Sequence, residues 1–327
     1  MSIAFLFPGQ GSQYVGMGKS LFELEPARRT FQEADRILGW ELSKLCFEGP
    51  EAQLNQTEYT QPALLVASVA VWRCLGEPVG RAAYVAGHSL GEYTALVASG
   101  ALSFSDAVPL VHRRGRFMQE AAPAGRGGMA AIVGLNRGAV EEICRKASGD
   151  AGKVTAANYN GPDQIVIAGE TEAVKRGVAL ALEGGAKRAI SLAVSVPSHS
   201  PMMKEACVRL GAELEKISGN PLKVPLVNNL QAKPIRTWPE AKEGLIDQLS
   251  SPLLWEETIR RMRDEGVDLF IEVGPGRVLS GLAKRIDRKL EVMNVEDPSG
   301  LEKAAAVLGR KSLEEPLEKP SEGSGRV

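Results

Sequence analysis

Residues Arg81-Ala82-Ala83-Tyr84-Val85-Ala86-Gly87-His88-Ser89-Leu90-Gly91-Glu92-Tyr93-Thr94-Ala95-Leu96-Val97-Ala98 decide the fold. The first six form a short apolar run that reads as a buried strand, and the last seven read as a helix closed by Gly100. Between them lies Gly-x-Ser-x-Gly, and strand, Gly-x-Ser-x-Gly, helix is the pattern of a nucleophile elbow. The two glycines allow a sharp turn where a side chain on either would collide. The serine hydroxyl is then left exposed at the C-terminal edge of a sheet, beside a helix N-terminus whose free N–H groups favour negative charge. A glycine-rich turn with no chemistry is the bland alternative for these five residues alone.

Outward from the elbow the chain alternates strands and helices. Residues 3–7 predict a strand that ends in Pro8-Gly9-Gln10-Gly11-Ser12-Gln13. Helices are predicted over 27–38 and 60–75, the second opening on Thr60-Gln61-Pro62. Ala107, Leu110, Val111, Phe117, Met118 and Ala121 trace a helical stripe. Proline is tolerated in a first helical turn, so Pro109 makes Asp106 a better N-cap for this helix than Ser103. From about residue 126 the texture changes: strand 128–135, helix 137–147, strands 154–158 and 164–168, helix 172–182 and strand 187–194 give βαββαβ, a ferredoxin-like arrangement. The earlier style resumes with helix 201–217, strand 224–228, helices 239–249 and 255–265, strand 268–273, helix 277–286, strand 290–294 and a last helix. The whole reads as a largely parallel α/β sheet, 1–125 and 197–307, interrupted by a small inserted domain, 126–196. The tail, 308–327, is Glu, Lys, Pro, Ser and Gly with little to bury, and is expected to be disordered.

Composition narrows the function. The 327 residues are enough for a substantial core, and 44% hydrophobic with 24% charged is ordinary for a soluble globular protein. A net charge of -1 offers no basic excess to hold phosphate backbones, which argues against nucleic acid as partner. Residues 3–7 lack a basic flank and so read as a strand rather than a signal peptide. The longest apolar stretch, 63–72, is about half the length needed to span a bilayer. Cys46, Cys74, Cys144 and Cys207 lie far apart with no C-x-x-C pair, and read as reduced, buried thiols. A cytoplasmic protein with no membrane association follows.

Ser89 needs a base, and the chain has three histidines. His88 is adjacent, but neighbours at a strand end point to opposite sides. His112 lies off the apolar stripe of its helix. His199, in Val196-Pro197-Ser198-His199-Ser200-Pro201, precedes a helix with Ser200 as N-cap and Pro201 at N1. A helix N-terminus disfavours imidazolium and keeps the ring able to accept a proton, although a structural loop histidine fits the same pattern. Hydrolases with this elbow carry an orienting Asp or Glu between Ser and His, and no loop acid in the core stands out here. A Ser–His dyad oriented by a backbone carbonyl is the alternative. Arg113 and Arg116 read as solvated, whereas Arg114 falls on the apolar stripe between Leu110 and Phe117. A buried arginine must be paired. With Leu110, Val111, Phe117 and Met118 at i±3 and i±4, either a distant acid or a ligand carboxylate has to serve it, the latter through a bidentate fork.

Six segments in order, Phe7-Pro8-Gly9-Gln10-Gly11-Ser12-Gln13, Tyr59-Thr60-Gln61-Pro62-Ala63, Gly87-His88-Ser89-Leu90-Gly91-Glu92-Tyr93, Arg114-Gly115-Arg116-Phe117-Met118-Gln119, Val196-Pro197-Ser198-His199 and Glu272-Val273-Gly274-Pro275-Gly276, resemble the motifs of the malonyl-CoA:acyl carrier protein transacylases and the related acyltransferase domains of polyketide synthases. The resemblance runs from residue 3 to about 307. It implies an α/β-hydrolase-like core with a ferredoxin-like insert, and a malonyl group carried from malonyl-CoA on Ser89 to the phosphopantetheine thiol of acyl carrier protein. It further implies His199 as general base, Arg114 on the malonyl carboxylate, backbone N–H groups of Gln10 and Leu90 at the oxyanion, and Gln248, ahead of Pro252-Leu253-Leu254-Trp255, helping to orient the histidine. No cofactor is implied, coenzyme A entering as a substrate thioester, and the chain is expected to act as a monomer. The carrier is an acidic partner in this family, which makes Lys187 and Arg188 candidates for a basic rim. Ordinary composition favours fatty acid synthesis. Two other readings stand beside this one. A carboxyl-ester or thioester hydrolase would share Ser89 and His199, carry an orienting acid and have no need of Arg114. A non-catalytic carrier-docking module would not need the Ser–His pair.

Overall fold

In the computed structural model, residues 1–309 are described except 124, 151, 193 and 195. Strand β1 (Ile3–Phe7) is buried along its whole length. Phe5 and Phe7 point into one core, where each meets Trp72 edge-on, while Ala4 and Leu6 point into a second core with Trp255, Ile259 and Leu279. Residues that alternate between two apolar cores belong to a sheet covered on both faces, which is why the run is continuously hydrophobic. Helices α1 (Glu25–Leu38), α2 (Leu42–Glu48), α3 (Glu51–Leu54) and α4 (Thr57–Cys74) follow, then β2 (Ala82–Gly87), α5 (Gly91–Ala98) and α6 (Phe104–Ala121).

The chain next forms β3 (Gly127–Val133), α7 (Arg137–Ala147), β4 (Val154–Gly161), β5 (Gln164–Glu170), α8 (Thr171–Glu183) and β6 (Arg188–Ser191). These strands make an antiparallel sheet in the order β4-β5-β3-β6, the βαββαβ sequence read from the residues. One face packs Ala130, Ile132, Ile165 and Ile167 under α7 and α8. The other turns Met129 and Val166 towards the first sheet. Two backbone bonds tie β4 to the segment at Leu253, Tyr159 N–H to the Leu253 carbonyl (2.9 Å) and Leu253 N–H to the Ala157 carbonyl (2.8 Å).

The remaining elements are α9 (Lys204–Leu214), β7 (Leu226–Val227), β8 (Pro234–Ile235), α10 (Trp238–Gln248), α11 (Trp255–Asp264), β9 (Leu269–Val273), α12 (Val278–Ile286), β10 (Glu291–Val295) and α13 (Pro298–Val307). The large sheet has the order β10-β9-β1-β2-β7-β8, parallel except for the β7–β8 pair. Ser89 follows β2, beside the central strand. Among the described residues no helix is long and apolar enough to cross a membrane, and the four cysteines are free and buried. Of the expected tail, 310–327 lie outside the described residues.

Two of the helix starts that differ from the reading of the sequence, those of α4 and α6, do so for one reason. Helix α4 begins at Thr57 rather than Thr60, and α6 begins after Ser103, whose side chain accepts the Asp106 N–H (3.0 Å). Asp106 is therefore not the cap. Pro62 and Pro109 each sit inside the helix, one turn later than a first-turn rule allows. A proline there forfeits one backbone bond. The packing of α4 and α6 on each other offsets that loss: Gly115 of α6 lies so close to Thr57 and Glu58 that a Cβ would approach their backbone to 2.6 Å. Gln119 of α6 then accepts the Glu58 N–H (3.1 Å), capping α4 from another helix. Strand β7 is also shorter than 224–228, because Asn228 and Asn229 leave the sheet, and the edge pairing with β8 has no pattern long enough to be read in advance.

Candidate active site

The elbow turns as tightly as the pattern implied. A Cβ on Gly87 would lie 1.9 Å from the Gly91 carbonyl carbon, and one on Gly91 would lie 2.0 Å from the Phe7 carbonyl oxygen. Ser89 takes φ +52°, a left-handed backbone that costs a non-glycine residue about 1–3 kcal/mol. Asn229 holds it there: its Oδ1 accepts the Ser89 N–H (2.8 Å) and its Nδ2 donates to the Gly87 carbonyl (2.8 Å).

His199, also left-handed at φ +60°, stands with Nε2 2.9 Å from Ser89 Oγ. Its Nδ1 is 2.8 Å from the Gln248 carbonyl oxygen. A carbonyl only accepts, so Nδ1 carries the hydrogen and Nε2 is bare towards the serine. Burial, the positive Arg114 and the neighbouring His88 push the imidazole down to about 3, so the ring is neutral at any ordinary pH. His88 points the other way: its Nε2 bonds Asn160 Oδ1 (2.9 Å) and its ring meets Trp255 edge-on. His112 rests half-buried against Trp40 and Tyr59.

Arg114 is only 1% exposed. Its Nη1 donates to Gln61 Oε1 (2.8 Å), and its Nη2 to Ser89 Oγ and Gln248 Oε1 (3.2 Å each). Its Nε is buried without a partner, and among the described residues no carboxylate oxygen is within ion-pair distance. Of the two ways to serve this arginine, the intramolecular ion pair is thus not the one taken. Arg113 and Arg116 pair instead with Glu213 (2.6 Å) and Glu120 (3.7 Å) at the surface.

The cleft is lined by Gln10, Ser89, Leu90, Arg114 and His199 on one side and by Met129, Asn158, Asn160 and Val166 on the other. Among the described residues the backbone N–H groups of Gln10 and Leu90 have no protein acceptor, whereas that of Ser89 is taken by Asn229. The Gln10 side chain donates to Thr57 Oγ1 (3.2 Å) and fixes its loop. The six residues singled out from the sequence, Ser89, His199, Gln248, Arg114, Gln10 and Leu90, therefore converge.

Sequence reasoning passed over Gln61, Asn229 and Glu92. Gln61 and Glu92 had a signal, Glu92 as the single charged residue of the apolar α5 and Gln61 as an amide on the buried α4. Asn229 had none. Glu92 is a buried acid between Ser89 and His199 in the chain, carried on a helix and not on a loop. One of its oxygens accepts the Asn229 N–H and the other accepts from Gln248 Nε2. Burial raises its carboxyl to about 8, against the pull of those bonds and of Arg114. It does not touch His199, whose Nδ1 is served by a carbonyl.

A sequence model described as the acyl transferase domain matches residues 4–300. The chain belongs to the acyl transferase family. Within that family, a malonyl CoA-acyl carrier protein transacylase of Bacillus subtilis (strain 168) is 48% identical across 94% of this chain and 97% of its own length. The solved malonyl CoA-acyl carrier protein transacylase of Coxiella burnetii is 44% identical, covers 93% of this chain and 96% of its own, and superposes with a TM-score of 0.90. A malonyl-transacylase solved in complex with its holo type II PKS acyl-carrier protein gives 43% identity, coverage of 94% and 100%, and a TM-score of 0.91. This acyl transferase thus shares the mixed α/β fold of those structures, with a mainly parallel sheet and a smaller antiparallel one.

Proposed function

We propose that this acyl transferase moves a malonyl group from malonyl-CoA, through an ester on Ser89, to the phosphopantetheine thiol of acyl carrier protein, and so supplies extender units for fatty acid synthesis. One observation carries the substrate: Arg114 is the single charged residue among the described residues lining the cleft, and its guanidinium lies beside the Ser89–His199 pair with no carboxylate of its own. A guanidinium left in that state is matched by a planar anionic group on the substrate.

In the first half-reaction Ser89 Oγ gives its proton to His199 Nε2 and attacks the thioester carbonyl. The oxyanion faces the free N–H groups of Gln10 and Leu90, each such donor being worth roughly 2.7–4 kcal/mol of barrier. The intermediate collapses with loss of the coenzyme A thiolate, which takes the proton back from His199. In the second, the carrier thiol gives its proton to His199 and attacks the serine ester, and Ser89 leaves with that proton. The ring that makes these transfers is easily deprotonated, which favours rapid return of the proton to each leaving group. No further cofactor enters. One chain supplies every residue named, which supports action as a monomer, and four free thiols suit the cytoplasm.

The deciding experiment mixes the enzyme with malonyl-CoA and follows intact mass, then adds holo acyl carrier protein. Malonyl should appear on Ser89 and then on the carrier thiol. Release of free malonate with no carrier product would make the protein a thioester hydrolase instead.

A further inference from the structure

Glu92 is buried a turn beyond the nucleophile and takes no part in the chemistry above. Its two oxygens are occupied by Asn229 N–H and Gln248 Nε2. Gln248 is tied on every side: its main-chain carbonyl holds His199 Nδ1, its Nε2 donates to Glu92 and, at 3.4 Å each, to the Ser89 carbonyl and Asn229 Oδ1, and its Oε1 accepts from Arg114 Nη2. We propose that Glu92 is a positioning residue for substrate selection: it fixes which way the Gln248 side-chain amide faces, and through that amide it holds Arg114 at the place where the substrate carboxylate is bound. The inference rests on the malonyl-transfer reading above and deepens it.

The argument is one of donors and acceptors. An amide turned over by 180° keeps its shape and exchanges its oxygen for its NH2. Turned over here, Gln248 would set its oxygen against the Glu92 carboxylate and its NH2 against the Arg114 guanidinium. Both contacts are mismatched, and both are desolvated. Ionised, as it is above its raised value of about 8, Glu92 accepts at both oxygens, and this carboxylate on one side with the guanidinium on the other admits a single orientation. Glutamine at position 92 has the size of glutamate but offers only one acceptor. With its oxygen kept by Asn229 N–H, its own NH2 faces Gln248, which turns over to meet it and gives up its two longer contacts, to the Ser89 carbonyl and Asn229 Oδ1 at 3.4 Å. Arg114 then loses an acceptor and meets a donor.

The test compares Glu92→Gln with the parent enzyme above about pH 8, where Glu92 is ionised, using malonyl-CoA and acetyl-CoA as competing donors and reading kcat/KM for each. A purely structural loss lowers both together. The expected result is a malonyl-over-acetyl preference reduced about tenfold or more, the effect of one hydrogen bond to a charged group, with the loss lying mainly in KM for malonyl-CoA. A folded Glu92→Gln enzyme that keeps the parent preference overturns the inference. Gln248→Met removes the same amide and leaves Glu92 in place. A lowered preference in that variant supports the inference even if Glu92→Gln does not fold, and an unchanged one overturns it. A parent enzyme that does not take malonyl at all would fail the broader reading, and that outcome is separate from these.

Discussion

The two walls of the cleft are built on different principles. The wall from the parallel sheet carries Ser89, His199 and Arg114, and its side chains are locked to one another: Asn229 to the elbow, Gln248 to both the histidine and the arginine. The wall from the antiparallel sheet offers Met129, Asn158, Asn160 and Val166, neutral groups borne on strands. Reactive groups have to be held to fractions of an ångström, and a left-handed Ser89 and a left-handed His199 persist only where several bonds over-determine them. Shape and dryness ask less. The contrast separates chemistry, on the first wall, from enclosure, on the second.

The largest effects that could break this division fall on the first wall. Ser89→Ala should abolish the malonyl-enzyme seen by mass and lower transfer by about 10⁴-fold or more, as loss of a nucleophile does. An adduct that survives would move the chemistry off this wall. Arg114→Ala comes next. Removal of one partner from a buried charge pair costs about 2–5 kcal/mol, so malonyl transfer should fall by about 30- to 5,000-fold. Acetyl transfer, which never used the pairing, should fall less, and equal losses on the two donors would remove the carboxylate role from Arg114.

How much of each wall was legible in advance follows the same division. Ser89, His199 and Arg114 declare themselves because each breaks a local rule: a serine between glycines, a histidine ahead of a capped proline, an arginine on an apolar stripe. The βαββαβ succession of the antiparallel sheet was legible as well, since its strands and helices are separated by clear breaks in the chain. The early starts of α4 and α6 were not, because helix packing and a cap supplied by Gln119 outweigh the local cost of Pro62 and Pro109. Nor was the Glu92–Asn229–Gln248 network, whose members lie far apart in the chain and meet only when α5, α10 and the turn after β7 come together. Spacing along a sequence carries no trace of contacts of that kind.

Acidity sharpens the comparison further. His199 sits well below the usual histidine range when folded, and an unfolded histidine titrates near 6.5. The unfolded chain therefore takes up a proton that the native site refuses. This contribution to stability is complete above about pH 6.5 and is lost progressively as pH falls towards 3. Chemical denaturation of the parent and of His199→Gln across that window should show a steeper loss in the parent. Parallel curves would mean that the ring is charged in the native state and that Arg114 does not act on it.

The smallest effect belongs to the second wall. Asn160 Oδ1 accepts from His88 Nε2, and it is the contact by which the antiparallel sheet touches the residue next to the nucleophile. Asn160→Ala leaves that buried N–H without an acceptor, which costs about 1–3 kcal/mol of stability. His88 faces away from Ser89, and burial keeps its ring neutral, so no charge appears in the cleft. Melting should therefore come earlier, while malonyl transfer changes by less than about tenfold and the preference over acetyl stays where it was. A shift in that preference would show that the enclosing wall also selects the substrate, and the separation of the two walls would then fail at Asn160.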